Sequence, residues 1–129
     1  MDEQLKPLSE AERDALRALW ELGPSQVRDV MAWIGERGRQ WAYTTTKTIL
    51  DRLEAKAYVR RDRTEAAHVY HAVVTRDDLA RRRVADLRAD LFDGAAAPLL
   101  RALVDGGLSD DEVRALRESL DAMERGGER

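Results

Sequence analysis

The chain has no cysteine. That absence removes disulfides, thiolate nucleophiles and cysteine-ligated zinc or copper together, and a reducing cytosol is compatible with it. Aromatic residues are scarce, at 5% of 129 residues, whereas charged residues reach 36%. Such a balance favours amphipathic helices with charged outer faces over a thick sandwich core. No apolar run approaches the roughly 20 residues of a membrane span. The opening Met1-Asp2-Glu3-Gln4 is acidic where a signal peptide would be basic. The expectation is a soluble, cytoplasmic chain with one core, or one core plus an extension. The sequence also lacks a phosphate-binding glycine loop, a nucleophile with an adjacent base and a metal-ligand cluster, so neither an enzyme nor a cofactor is expected. The histidines, His68 and His71, are too few for a metal site and read as polar strand residues.

Net positive charge is missing as well, at −3 overall, but its distribution is uneven. Between Arg37 and Arg63 stand eight bases (Arg37, Arg39, Lys47, Arg52, Lys56, Arg60, Arg61, Arg63) against three acids (Asp51, Glu54, Asp62). That segment is locally +5, which leaves −8 for the remainder. A basic block in an acidic chain suits one DNA-facing surface, although a charge run is also what any solvated face looks like.

Helix signals punctuate the first half. Ser9-Glu10-Ala11-Glu12 has capping-box spacing, and Ala11, Ala15, Leu16, Leu19 and Trp20 form one apolar face ending at Gly23-Pro24, which predicts a helix from about Glu10 to Leu22. Ser25 can cap a second helix of about ten residues with a buried stripe of Val27, Val30, Met31 and Ile34. A third begins in the threonine run, with Ile49, Leu50, Leu53 and Ala57 inward and a polar outer face; Thr45 is a candidate cap. The period then becomes extended through Tyr58–Asp62, turns at Arg63-Thr64-Glu65-Ala66 and returns through His68–Val74, a β-hairpin with Tyr70 inward. Three helices followed by a hairpin is the order of a winged helix-turn-helix, whose third helix enters the major groove while the hairpin touches backbone.

The second half is helical. Thr75 and Asp78 can cap a helix carrying Leu79, Val84, Leu87 and Leu91, closed by Phe92-Asp93-Gly94; a shorter one carries Leu99, Leu100, Leu103 and Val104; Ser109-Asp110-Asp111-Glu112 opens a third with Val113, Leu116, Leu120 and Met123. Too few residues remain to bury three apolar stripes within one chain. A homodimer through Leu87, Leu91, Leu99, Leu100, Leu103, Val113, Leu116, Leu120 and Met123 is the economical solution; an intramolecular cap on the winged domain is the alternative. The fold class is thus mainly α with a small β-hairpin: a winged helix-turn-helix over 1–74 and a helical dimerisation region over 75–129.

Leu8–Glu12, Leu19-Trp20, the run Trp41–Leu53 and the closing Val69-Tyr70 together resemble the penicillinase-repressor family of bacterial regulators, over nearly the whole chain from Leu8 to Met123. The resemblance implies a homodimeric repressor on double-stranded operator DNA with two-fold symmetry. It implies base reading by Thr44, Lys47 and Thr48. Lys47 can donate to guanine O6 or N7, and threonine methyls can meet thymine. Hydroxyls at a helix N-terminus also suit phosphate, a role open to Thr44, Thr45 and Thr48. Arg52 fits a phosphate contact, and Arg61 and Arg63 share the wing face suited to backbone, with Arg60 opposite. Tyr43 and Trp41 could abut the DNA backbone, or Trp41 could pack its loop onto the core. Copper sensing through Cys-X-Cys pairs, found in some members, has no ligands here. Members cut after a membrane sensor protease is triggered are cleaved before a Phe; the corresponding bond is Ala102–Leu103, where the Asn-Phe pair is absent. A winged helix that binds protein instead of DNA is the competing reading.

Overall fold

Ser9 starts the first helix as its spacing predicts. In a computed structural model describing residues 5–64 and 67–127, the Glu12 amide donates to the Ser9 hydroxyl at 3.1 Å and the Ser9 amide donates to the Glu12 carboxylate at 2.9 Å. This reciprocal cap, worth about 1 kcal/mol, opens α1 (Glu10–Leu22), which ends at Gly23 with φ +83°. Helices α2 (Val27–Glu36) and α3 (Tyr43–Ala55) follow, then an antiparallel pair, β1 (Val59–Thr64) and β2 (Ala67–Ala72), and helices α4 (Arg76–Phe92), α5 (Ala97–Asp105) and α6 (Asp110–Gly127). Three helices and a wing, in that order, make a winged helix-turn-helix.

The core of the first compact unit, which ends at Ala80, is where those helices and the hairpin meet. Leu16 and Leu19 of α1, Val30 and Ile34 of α2, and Leu50 and Leu53 of α3 are buried together with Tyr58, Val59 and Tyr70. Each such aliphatic side chain contributes about 1.5–3 kcal/mol by leaving water. Tyr70 is fully buried, which settles the inward face of a strand apolar on both alternations. The hairpin is clamped to the helices at two further points. Ser25 and Tyr70 exchange backbone bonds of 3.1 and 2.8 Å, and the Trp20 indole donates to the Val74 carbonyl at 2.9 Å.

Several details depart from the expectations above. Gln26, not Ser25, is the N-cap of α2. The Ser25 backbone is engaged by Tyr70, and its hydroxyl turns to the Gly23 carbonyl. Trp33 joins Val27, Val30 and Ile34 on the buried stripe, and Met31 is only half-buried. The Arg37 guanidinium lies over the face of the Trp33 ring, 3.5 Å from its centroid. Ala57 is exposed; it takes the left-handed conformation at φ +69° that ends α3 and turns Tyr58 inward. Of the expected turn, Glu65 and Ala66 lie outside the described residues, and Thr64 pairs with Ala67 at the end of the ladder.

The second compact unit begins at Arg81, so the compact units part six residues beyond the boundary drawn after residue 74. Buried Leu79, on the first turn of α4, belongs to the core of the first unit. The Asp78 amide donates to the Thr75 hydroxyl at 3.0 Å, capping α4 as expected. Asp93 and Gly94 carry positive φ at the other end, where the Arg88 guanidinium donates to the Gly94 carbonyl at 2.8 Å. Ser109 and Glu112 form the second capping box, with bonds of 2.9 and 3.1 Å. Helices α5 and α6 contain no buried residue.

Candidate nucleic-acid interface

Helix α3 begins without a side-chain cap. Its N-cap is Ala42, not Thr45, and among the described residues no side chain caps its first turn. Thr46 withdraws from the surface: it is buried, and its hydroxyl donates back to the Ala42 carbonyl at 2.9 Å. Tyr43, Thr44, Thr45 and Thr48 remain exposed around that open end. Free amides, three threonine hydroxyls and the positive end of the helix dipole therefore face solvent together, an arrangement suited to phosphate oxygens. Trp41 is half-buried and packs against the core, leaving Tyr43, 52% exposed, as the aromatic at the surface.

One turn along, Lys47 donates to Asp51 Oδ2 at 2.8 Å. The other oxygen of Asp51 accepts the Tyr70 hydroxyl at 2.8 Å, and the Arg61 guanidinium lies 3.6 Å from it. Arg61 also approaches Glu54, at 3.8 Å. The hairpin register pairs Arg61 with Tyr70 and Arg63 with His68, so both arginines share the face that carries Tyr70, as alternation requires. Arg60 lies on the opposite face, where it pairs with Asp62, and His71 Nε2 stands 3.1 Å from the same carboxylate. Arg52 and Arg63 are exposed and make no ion pair among the described residues. Among the described residues, the wing cation without an ion pair is thus Arg63, near the hairpin end, whereas Arg61 is tied to α3.

The shared network shifts its acids. Burial alone would raise the Asp51 pKa, but the Lys47 and Tyr70 bonds and the Arg61 charge outweigh it and hold the carboxyl below its ordinary value. Burial and the neighbouring Asp51 push the Tyr70 phenol up to about 12. The Tyr70 hydroxyl and Glu54 raise Arg61. Near neutral pH Asp51 is therefore a carboxylate and Tyr70 a neutral phenol. Asp51 was legible only as one charge on a polar face. An i,i+4 Lys-Asp spacing was the available signal, and its second partner, Tyr70, lies 19 residues away.

Among the described residues no three His, Cys, Asp or Glu side chains converge as a metal site. No described helix is long and apolar enough to cross a membrane.

The family model described as penicillinase repressor matches residues 8–122. The chain belongs to the penicillinase-repressor family. The transcriptional regulator BlaI of Mycobacterium tuberculosis (strain ATCC 25618 / H37Rv) is 33% identical over 124 residues, covering 95% of this chain and 89% of its own. The methicillin resistance regulatory protein MecI of Mammaliicoccus sciuri is 23% identical over 121 residues, 93% of this chain and 98% of its own. A solution structure of Bacillus licheniformis BlaI, a monomeric form in complex with the blaP half-operator, aligns with a TM-score of 0.49 at 20% identity, over 58% of this chain and 90% of that one. As a member of the family the protein is a DNA-binding transcriptional repressor and not an enzyme.

Proposed function

We propose that this repressor acts in the cytoplasm as a homodimer on a palindromic operator. In this reading Thr44, Lys47 and Thr48 reach base edges; the α3 amides, Tyr43, Thr45 and Arg52 hold phosphate; and Arg63, with Arg61 behind it, meets the backbone beside the wing. The observation that carries the reading is the uncapped N-terminus of α3, ringed by exposed hydroxyls. A winged helix that docked on protein would present apolar side chains on the outer face of α3. Here that face carries Thr44, Thr45, Lys47, Thr48, Asp51 and Arg52, with Tyr43 alone offering a large apolar surface.

Two-fold symmetry is supported by the second unit taken by itself. Leu87, Leu91, Leu100, Leu103, Leu120 and Met123 are exposed, from 43% for Leu87 to 71% for Met123, and Leu99, Val113 and Leu116 are half-buried. An apolar set of this size on a chain that is otherwise so charged calls for a partner. A second copy supplies it by matching like surface to like. The paired recognition helices would then meet half-sites about 34 Å apart. Release by a membrane sensor protease is left out of this reading. The Ala102–Leu103 bond lies within α5, where the Gly106 amide donates to the Ala102 carbonyl at 3.0 Å, and the Asn-Phe pair is absent.

Mobility of promoter DNA on a gel tests the proposal. A fragment upstream of the protein's own gene should shift at low salt, in steps set by dimer occupancy, and binding should weaken steeply as salt rises. No shift with any fragment from that locus would sink it.

A further inference from the structure

Asp51 is the point at which the recognition helix and the wing hold each other. Lys47 Nζ donates to its Oδ2 at 2.8 Å, and the hydroxyl of buried Tyr70 donates to its Oδ1 at 2.8 Å, with the Arg61 guanidinium 3.6 Å from that same oxygen. Tyr70 is in turn fixed by its backbone exchange with Ser25. The Tyr70 bond therefore holds the carboxylate in place on the outer face of α3, because one of its oxygens is tied to the core.

A fixed negative charge in the face that meets a polyanion has a cost that depends on register. The pair of Lys47 and Asp51 is half-exposed, at 39% and 35%, and solvent-screened pairs of this kind are weak. DNA can break it. Where Lys47 goes to a phosphate, Asp51 is left facing the phosphates without its nearest cation. Where a guanine edge lies beside α3, Lys47 can reach O6 or N7 while the freed Oδ2 accepts from a cytosine amino group, so both charges are satisfied. Discrimination is a difference of affinities, and a group that penalises wrong registers enlarges it as surely as one that favours the right register.

We propose that Asp51 is a specificity-determining residue of this repressor: its anchored carboxylate weakens binding to unrelated DNA and thereby widens the margin in favour of the operator. The inference rests on α3 being the DNA-reading helix. It concerns an acid in a face otherwise read as donors, and it assigns the net-repulsive residue a purpose.

The test uses the full-length protein and two duplexes: one enriched by the wild type from a random-sequence library, and one of equal length and composition with scrambled order. Fluorescence anisotropy titrations are made at several salt concentrations. Asp51→Asn, which keeps the shape and an acceptor for Tyr70, should tighten the scrambled duplex about fivefold while changing the enriched one less than about twofold. Its salt dependence on scrambled DNA should steepen, since Lys47 and Arg61 are released to phosphate. Asp51→Ser, a smaller neutral side chain, is measured alongside and should shift discrimination the same way, so the outcome does not hang on one variant folding. Asp51→Glu keeps the charge within reach of Lys47 and should recover most of the wild-type margin. Equal weakening of both duplexes by the neutral variants would make Asp51 merely structural and overturn the proposal, as would an unchanged margin. If the wild type enriches no sequence at all, DNA reading by α3 falls first and this inference with it.

Discussion

Lys56, at the C-cap of α3, donates a 2.6 Å hydrogen bond to Glu12 of α1, whose side chain is only 4% exposed. The same ammonium donates to the Pro7 carbonyl at 2.8 Å, so the cation that satisfies the N-terminal capping box also holds the segment leading into it. Burial would raise the Glu12 pKa, but the Lys56 bond and the Ser9 amide outweigh it and keep the carboxyl below its ordinary value. A carboxyl depressed in the folded state stabilises the fold above its unfolded pKa, and that contribution is lost as pH falls through the folded value. Lys56→Met should therefore cost about 2 kcal/mol at pH 7, because a charged buried group loses its main partner. Urea unfolding at a series of pH values checks this. The gap between wild type and variant should narrow as pH drops below about 4, near the ordinary carboxyl value. A gap independent of pH would mean that Lys56 acts only through packing.

Tyr70→Phe leaves the buried ring in place and removes the hydroxyl that holds Asp51. The variant should lose about 1.5–3 kcal/mol of stability, the usual worth of a hydrogen bond to a charged group. Phenylalanine fits the same space, so a much larger loss in a denaturant titration would mean that the core itself had rearranged.

How much of this was visible in the sequence depends on whether the cause was local. Ser9 with Glu12 and Ser109 with Glu112 announce helix starts within four residues, and both caps form as their spacing predicts. The Lys47 face was likewise readable from a 3.6-residue period. The start of α2 was not. Ser25 is the better cap by local chemistry, and the choice is made instead by Tyr70, 45 positions further on, which claims the Ser25 backbone. Thr45 lost the capping role in a different way: α3 begins two residues earlier, and Thr46 bonds back into its own helix. The hub at Asp51 needed a pairing between α3 and β2 that no periodicity encodes.

Under the proposed base reading, Lys47→Ala should weaken operator binding by about 1–3 kcal/mol per half-site, and weaken unrelated DNA by less, since there it only uncovers the Asp51 carboxylate. Thr44→Ala should act in the same direction by a smaller amount. Parallel anisotropy titrations on specific and scrambled duplexes make the comparison. Equal losses on both would move Lys47 from base reading to phosphate binding.

Arg52 and Arg63, exposed and free of ion pairs among the described residues, should behave in the opposite way. Replacing either by alanine weakens specific and unrelated DNA alike. The slope of log affinity against log salt should fall by about 0.9 for each phosphate no longer neutralised, hence by roughly two for a dimer changed in both subunits. Arg61→Ala should reduce the slope less than Arg63→Ala, since its charge is already shared with Asp51 and Glu54. A larger effect at Arg61 would show that the wing leaves α3 when DNA binds.

The exposed leucines of the second unit give the most direct test of assembly. Leu120, 52% exposed in one chain, lies one turn before Met123 on α6, and a glutamate there puts a charge into any apolar seam built from that face. Sedimentation velocity should show the wild type as a dimer at micromolar concentration and Leu120→Glu shifted to monomer. Because two half-sites bound together gain about two orders of magnitude or more over one, operator affinity should fall by at least that factor. Thermal unfolding of the winged unit should change little, as its core ends at Leu79. A variant that remains dimeric and binds the operator normally would place the subunit interface away from α6. A variant that unfolds the winged unit would favour an intramolecular role for these helices.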